Sequence, residues 1–216
     1  MSHDDFEVEP VEGLPELPPE GETILWQGRP NWWRLTWEAM SLPWVWGYFA
    51  VLTLWRFISV VDQMPLAQAF AAALPFVFLA AIATFLLGLT GYLQARATMY
   101  TVTNRRVAMR IGAALTMTLN LPYTQIANAM LDLRKGGSGT IAFETMGETK
   151  LSYILCWPHL RPWHFNPTQP SLRCIPNAEH VAGLIADAAE ARVSTPRVVR
   201  KSEAAMPSGD SVVAAE

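Results

Sequence analysis

The chain has 216 residues, 51% of them hydrophobic and 16% charged, with a formal net charge of −3. Two cysteines, Cys156 and Cys174, exclude a disulfide framework, and the charge balance gives no reason to expect a nucleic-acid partner. The small net charge hides an asymmetry: residues 1–22 carry eight acids and no Lys or Arg, whereas the remainder is mildly basic.

Residues 1–20, acidic and rich in Pro, read as a solvated, disordered arm. They hold no apolar core, so a cleavable signal peptide is not expected and the first span would serve as its own insertion signal. Residues 21–41 form a cytoplasmic or interfacial lead-in. Its first part, around Ile24, Leu25 and Trp26, should pack against a folded domain. Residues 31–41 place Trp33, Trp37 and Met40 on one face at helical spacing. This segment is either an interfacial helix or a simple approach to the span.

Two apolar segments follow, residues 43–61 and 66–93. A bilayer core takes roughly 20 apolar residues as helix, so the pair reads as a membrane-spanning hairpin. Trp32, Trp33, Trp37, Trp44 and Trp46 gather at its entrance, as expected at a membrane–water boundary. Arg29 and Arg34 precede the first span, and Arg96, Arg105, Arg106 and Arg110 follow the second, while the connector carries Asp62. The positive-inside rule then puts both termini in the cytoplasm of an inner (intracytoplasmic) membrane. Arg56, inside the first span, would snorkel outward or meet a partner's acid. Pro65 suits the first turn of the second helix, Pro75 should kink it, and Gly88 and Gly91 offer a close-approach face.

Beyond residue 93 the pattern turns to strands. Ala97–Thr103, Val107–Ile111, Leu115–Leu119, Ile126–Arg134, Thr140–Thr145 and Thr149–Leu155 all read as β, with turns at Asn104-Arg105, Gly112, Lys135–Gly139 and Gly147. Residues 156–170 read as a loop rich in Pro and Trp, followed by a strand at Ser171–Ile175. Asn177 then caps a helix that presents Val181, Leu184, Ile185 and Ala188 on one face. The expected fold is a membrane α-helical hairpin plus a small all-β sandwich or barrel, residues 96–192, covered by that helix. Residues 193–216 read as a disordered tail.

Strands closed by one C-terminal helix are the plan of a pleckstrin-homology-like domain. Tyr100-Thr-Val-Thr-Asn-Arg-Arg-Val107 resembles the opening strands of bacterial PH-like membrane domains, and Gly21-Glu22, Leu25-Trp26 and Gly28-Arg29-Pro30 are similar to their lead-in. Thr116–Tyr123, Gly137–Ile141, Trp157-Pro-His-Leu-Arg-Pro-Trp163 and Leu172–Pro176 look like the PuhB-type photosynthetic-complex assembly proteins of purple phototrophic bacteria. The likeness runs from about residue 14 to residue 192. It implies a non-enzymatic role in building the reaction centre and its core light-harvesting antenna, with unassembled subunits as partners. A lipid-organising scaffold, as a possible homodimer, and a bacteriochlorophyll delivery protein are the alternatives.

No Ser/His/Asp order, phosphate loop or HExxH helix is present. Cys156, His159, His164 and Cys174 carry metal-ligand chemistry, but their spacing matches no zinc finger, so no metal and no cofactor are expected. All four His lie outside the spans, which leaves no intramembrane imidazole for a pigment. The segment Trp157, His159, Arg161 and Trp163 combines rings and a cation as binding hot spots do. It either faces a partner or packs on its own domain. Arg96, Arg105, Arg106 and Arg110 are expected to contact anionic lipid.

Overall fold

Polar breaks set the limits of the two longest helices. The computed structural model describes residues 11–113, 116–146 and 151–194. Strand β1 (Ile24–Gly28) leads into helix α1 (Trp32–Ala39), helix α2 (Leu42–Val61) and helix α3 (Leu66–Ala97). α2 has 20 residues and spans about 30 Å; α3 has 32 and spans about 48 Å. Both are long and apolar enough to cross a membrane, and nearly all of their apolar surface is unburied. That exposure separates them from the core helices of a soluble domain. Pro65 occupies the cap of α3 rather than its first turn, and the helix runs on through Pro75.

α3 outlasts the expected span by four residues, and this extension holds the hairpin to the rest. Gly91 and Ala95 are buried there. A Cβ on Gly91 would fall 2.0 Å from the Thr36 hydroxyl of α1, so α1 crosses α3 at a point only glycine permits. Gly88 faces open space. α1 is capped by Asn31, whose Oδ1 accepts from the Arg34 amide at 3.1 Å. It buries Leu35 and Thr36, while Trp33 and Trp37 point outward.

β2 (Met99–Thr103), β3 (Arg106–Ile111) and β4 (Met117–Pro122) form an antiparallel sheet in the order β1-β2-β3-β4. Because β1 precedes the hairpin and β2 follows it, their pairing puts both flanks on the same side of the two helices. A single 3-10 turn (Tyr123–Gln125) leads to β5 (Ile126–Leu133) and β6 (Gly139–Thr145); a short helix, α4 (Tyr153–Cys156), precedes β7 (Leu160–Phe165) and β8 (Thr168–Ile175). These strands make a second antiparallel sheet in the order β5-β6-β8-β7. Helix α5 (Ala178–Val193) packs on the 3-10 turn, β5 and β6. Tyr100, Val102, Val107 and Met109 from the first sheet meet Ile141, Phe143, Leu172 and Ile175 from the second, closed off by Val181, Ile185 and Ala188 of α5.

Several sequence expectations are corrected here. The strand expected at Thr149–Leu155 is replaced, in its described part, by α4, where Cys156 N–H donates to Ser152 C=O at 3.1 Å. The free edge of β6 goes to β8 instead; residues 147–150, with the expected turn, lie outside the described residues. The expected loop over 156–170 is largely the β7–β8 hairpin. Its prolines read as loop, but β7 is an edge strand, where a missing N–H costs little. The arm expected to be solvated is anchored in its second half: Leu14 is buried, and the Gln27 side chain donates to Glu12 C=O at 3.1 Å. Residues 1–10 and 195–216 lie outside the described residues. Asn177 precedes α5 as expected, yet its side chain makes no cap bond, and Leu184 is only half-buried.

Candidate functional site

The junction between hairpin and sheets is organised by one buried imidazole. His159 is 1% exposed. Its Nε2 is 3.0 Å from the Thr98 hydroxyl and its Nδ1 is 2.6 Å from the Tyr100 hydroxyl. Thr98 donates its own proton to Gln94 C=O in the last turns of α3, at 2.7 Å. Thr98 must therefore accept from Nε2–H, which leaves Nδ1 to accept from Tyr100. The Arg173 amide of β8 donates to the Tyr100 oxygen at 3.3 Å. One neutral ring thus ties the end of α3 to both sheets. Burial, with the Arg173 charge second, pushes the His159 imidazole down to about 3. Burial likewise raises the Tyr100 phenol well above its usual value.

These contacts take His159 out of the partner-facing set expected from sequence. It lies at the base of the Trp157–Trp163 segment as a structural tie. The other members separate. Trp157 is partly exposed, and its amide closes α4 onto Tyr153 C=O at 3.0 Å. Arg161 donates to Gln169 Oε1 at 3.0 Å. Trp163 is 84% exposed with φ of +62°, at an irregularity in the β7 ladder; such bulges at sheet edges re-aim a side chain. Sequence reasoning missed further exposed apolar side chains: Ile154 and Leu155 of α4 and Phe165 of β7, whose ring packs on Tyr153 at 4.7 Å between centroids. The signal available was the apolar run Tyr153-Ile-Leu155, which was read as strand.

The arginines expected at lipid also divide. Arg96, in the last turn of α3, donates to the Tyr92 hydroxyl at 3.1 Å, and Arg110 sits opposite Met99, beside the helix end. Arg105 and Arg106 do not share that position. β2 rises about 3.3 Å per residue, so their turn lies roughly 15 Å along the sheet from the end of α3. There Arg105 donates to Glu20 C=O at 2.9 Å, and Arg106 Nε donates to Glu22 at 2.9 Å. Adjacency to the span in sequence is undone by the hairpin fold.

Among the described residues, the His and Cys side chains form no metal cluster. Cys174 lies near Glu38 of α1, and burial, with the Glu38 carboxylate second, pushes its thiol up to about 12. Burial raises Cys156 as well. Neither thiol is nucleophilic at neutral pH. Between α2 and α3 lies an apolar groove of about 760 Å³, lined by Phe49, Phe57, Phe70 and Val77 among others, with the Trp46 indole donating to Thr84 Oγ1 at 2.9 Å at one end. Around that end, Trp37 meets Trp46 edge-on at 5.4 Å, and Trp32 meets Tyr92 at 6.1 Å. A chain of rings from α1, α2 and α3 therefore forms a partial collar at the foot of the hairpin.

Two apolar helices followed by two antiparallel sheets and a closing helix define a PH-like unit. The bacterial PH domain family matches residues 39–189, and this chain belongs to it. That range runs from the end of α1 to α5, so the helical hairpin is part of the family's unit. At finer grain, the chain is 42% identical over 201 residues to a protein of Rhodobacter capsulatus described as an uncharacterized 23.7 kDa protein in the puhA 5' region; the match spans 92% of this chain and 94% of the relative. No solved structure matches.

Proposed function

We propose that this protein is a PuhB-type membrane-anchored assembly factor for the photosynthetic reaction centre and core light-harvesting complex, acting without a chemical step. The observation that carries the reading is the relative's place: its gene lies in the puhA 5' region of a phototroph. Three physical features support it. The hairpin carries exposed apolar surface and a cluster of rings at one end. Its two flanks are paired on the same side, so the sheets are held close to the collar and, by the positive-inside rule, in the cytoplasm. The exposed rings and aliphatics of Trp163, Phe165, Ile154 and Leu155, on β7 and α4, offer apolar surface suited to an unfinished subunit. Arg96 and Arg110 meet the lipid headgroups in this arrangement, and no cofactor is needed.

The test is affinity capture of the full chain from phototrophic membranes. Recovery of reaction-centre or antenna subunits is expected; recovery of the bait alone would favour a self-associating, lipid-organising scaffold. The groove between α2 and α3 favours a second reading, pigment delivery by packing alone. Bacteriochlorophyll absorbance that co-purifies in stoichiometric amount would move the assignment there.

A further inference from the structure

The outer face of the second sheet holds charge that its own residues leave open. A pocket of about 420 Å³ lies there, walled by Glu38 of α1, Arg134 just past the end of β5, Arg161, Trp163 and His164 of β7, and Arg173 of β8. The Arg173 side chain is only 6% exposed, and its Nε has no hydrogen-bond partner. Its other contacts are long: Nη2 is 3.9 Å from Glu38, and Nη1 is 3.4 Å from Pro158 C=O. Glu38 is shared with Arg134 at 3.6 Å, and Arg134 reaches Asp132 at 3.0 Å. Three guanidinium groups against two carboxylates leave the lining one net positive charge. A buried guanidinium without a close acid is costly unless a ligand completes it. Its planar fork suits an oxyanion.

We infer that this pocket binds the phosphate group of an anionic membrane lipid, an inference that rests on the membrane-spanning reading above. The position selects the source. The α1 wall that contributes Glu38 also presents Trp33 and Trp37 outward, and Trp37 meets Trp46 edge-on at the foot of α2. Rings of that kind mark the headgroup level. A phosphodiester carries one negative charge and matches the single excess positive charge of the lining. The exposed Trp163 ring at the rim gives the glycerol and upper acyl carbons an apolar surface.

The experiment uses the full chain in uncharged detergent micelles and reads the thermal-unfolding midpoint against added ligand. Three probes are titrated: dihexanoyl phosphatidylglycerol, inorganic phosphate, and a glutamate-rich peptide. The short-chain lipid is expected to raise the midpoint in the native protein. Its apparent affinity should fall about tenfold in Arg161→Gln, the loss of one charge-assisted bond, and the response should vanish in Arg173→Gln. Arg105→Gln should respond as the native chain does. Should Arg173→Gln fail to fold, Arg161→Gln still decides. No response to any probe, or an unchanged response in Arg161→Gln, overturns the site. An equal response to inorganic phosphate keeps the oxyanion chemistry and overturns the lipid as its source. A response to the peptide alone overturns the inference in favour of a polypeptide ligand. Alkaline carbonate washing of vesicles tests the spanning reading separately: a chain that stays in the membrane yet ignores the lipid sinks only this pocket.

Discussion

The two sheets treat their arginines differently. At the open end of the first, Arg106 is closed by Glu22, a side chain only 2% exposed, at 2.9 Å, and Arg105 is tied to the backbone of the lead-in. On the outer face of the second, Arg134 and Arg173 share one carboxylate at 3.6 and 3.9 Å. The first arrangement is a finished structural contact that fixes β1 and its approach to the sheet. The second is an unfinished one. Charge alone does not mark a binding surface; what marks it is charge whose partners inside the chain fall short.

The largest expected effect comes from breaking the tie between the sheets. His159→Phe leaves the Tyr100 and Thr98 hydroxyls without their ring partner in a dry site. Two lost hydrogen bonds with unsatisfied groups should cost about 2–5 kcal/mol. The ring also gives the fold a pH dependence of known sign. The folded protein keeps it neutral down to about pH 3, whereas the unfolded chain protonates it near 6.5. Between those values the unfolded state binds the extra proton, so the stability present above about pH 6.5 is lost as pH falls toward 3. Unfolding in micelles across that window should show a steeper decline for the native chain than for His159→Gln. Parallel curves would mean that the imidazole is not held as described.

How far the sequence reveals all this depends on the range of each interaction. The hairpin was legible because length and hydropathy are local, and β2–β3 because Thr103-Asn-Arg-Arg106 carries its own turn. The identity of β7 was hidden by Pro158, Pro162 and Pro167, which read as breakers; Pro158 and Pro167 flank the strand, Pro162 sits within it where an edge tolerates it, and Pro170 precedes the stretch of β8 that ladders with β6. The role of His159 could not be read from its neighbours. Its partners Thr98 and Tyr100 are 61 and 59 residues away, and no spacing rule joins them. The same holds for Arg173, whose burial depends on α1 docking from the far side of the hairpin. Gly91 was legible as a close-approach residue, but the element that approaches is α1 of the same chain.

A paired substitution sharpens the comparison between the sheets. Glu22→Gln removes a buried charge that takes Arg106 Nε and the Thr103 hydroxyl, each at 2.9 Å. It should cost about 2 kcal/mol in unfolding measurements. Glu38→Gln removes only long pairs, at 3.6 and 3.9 Å, and should cost less than Glu22→Gln does. It also takes one negative charge out of the pocket, so affinity for an anion there should rise. Equal losses from the two substitutions would erase the distinction between a closed and an open charge cluster.

The smallest effect on stability should come from the residue with the largest expected effect on partners. Trp163 buries little of its ring, so Trp163→Ala should change the unfolding free energy by less than about 0.5 kcal/mol. An exposed indole held outward by an irregular edge strand is surface the fold does not use. If the edge formed with Phe165, Ile154 and Leu155 is where an unfinished subunit rests, Trp163→Ala should lose most of the captured photosynthetic subunits while the protein accumulates normally. A variant that is both stable and fully competent in capture would move the contact to the exposed apolar faces of α2 and α3. Their surface is apolar as well, but it carries no comparable bulge to single out one side chain.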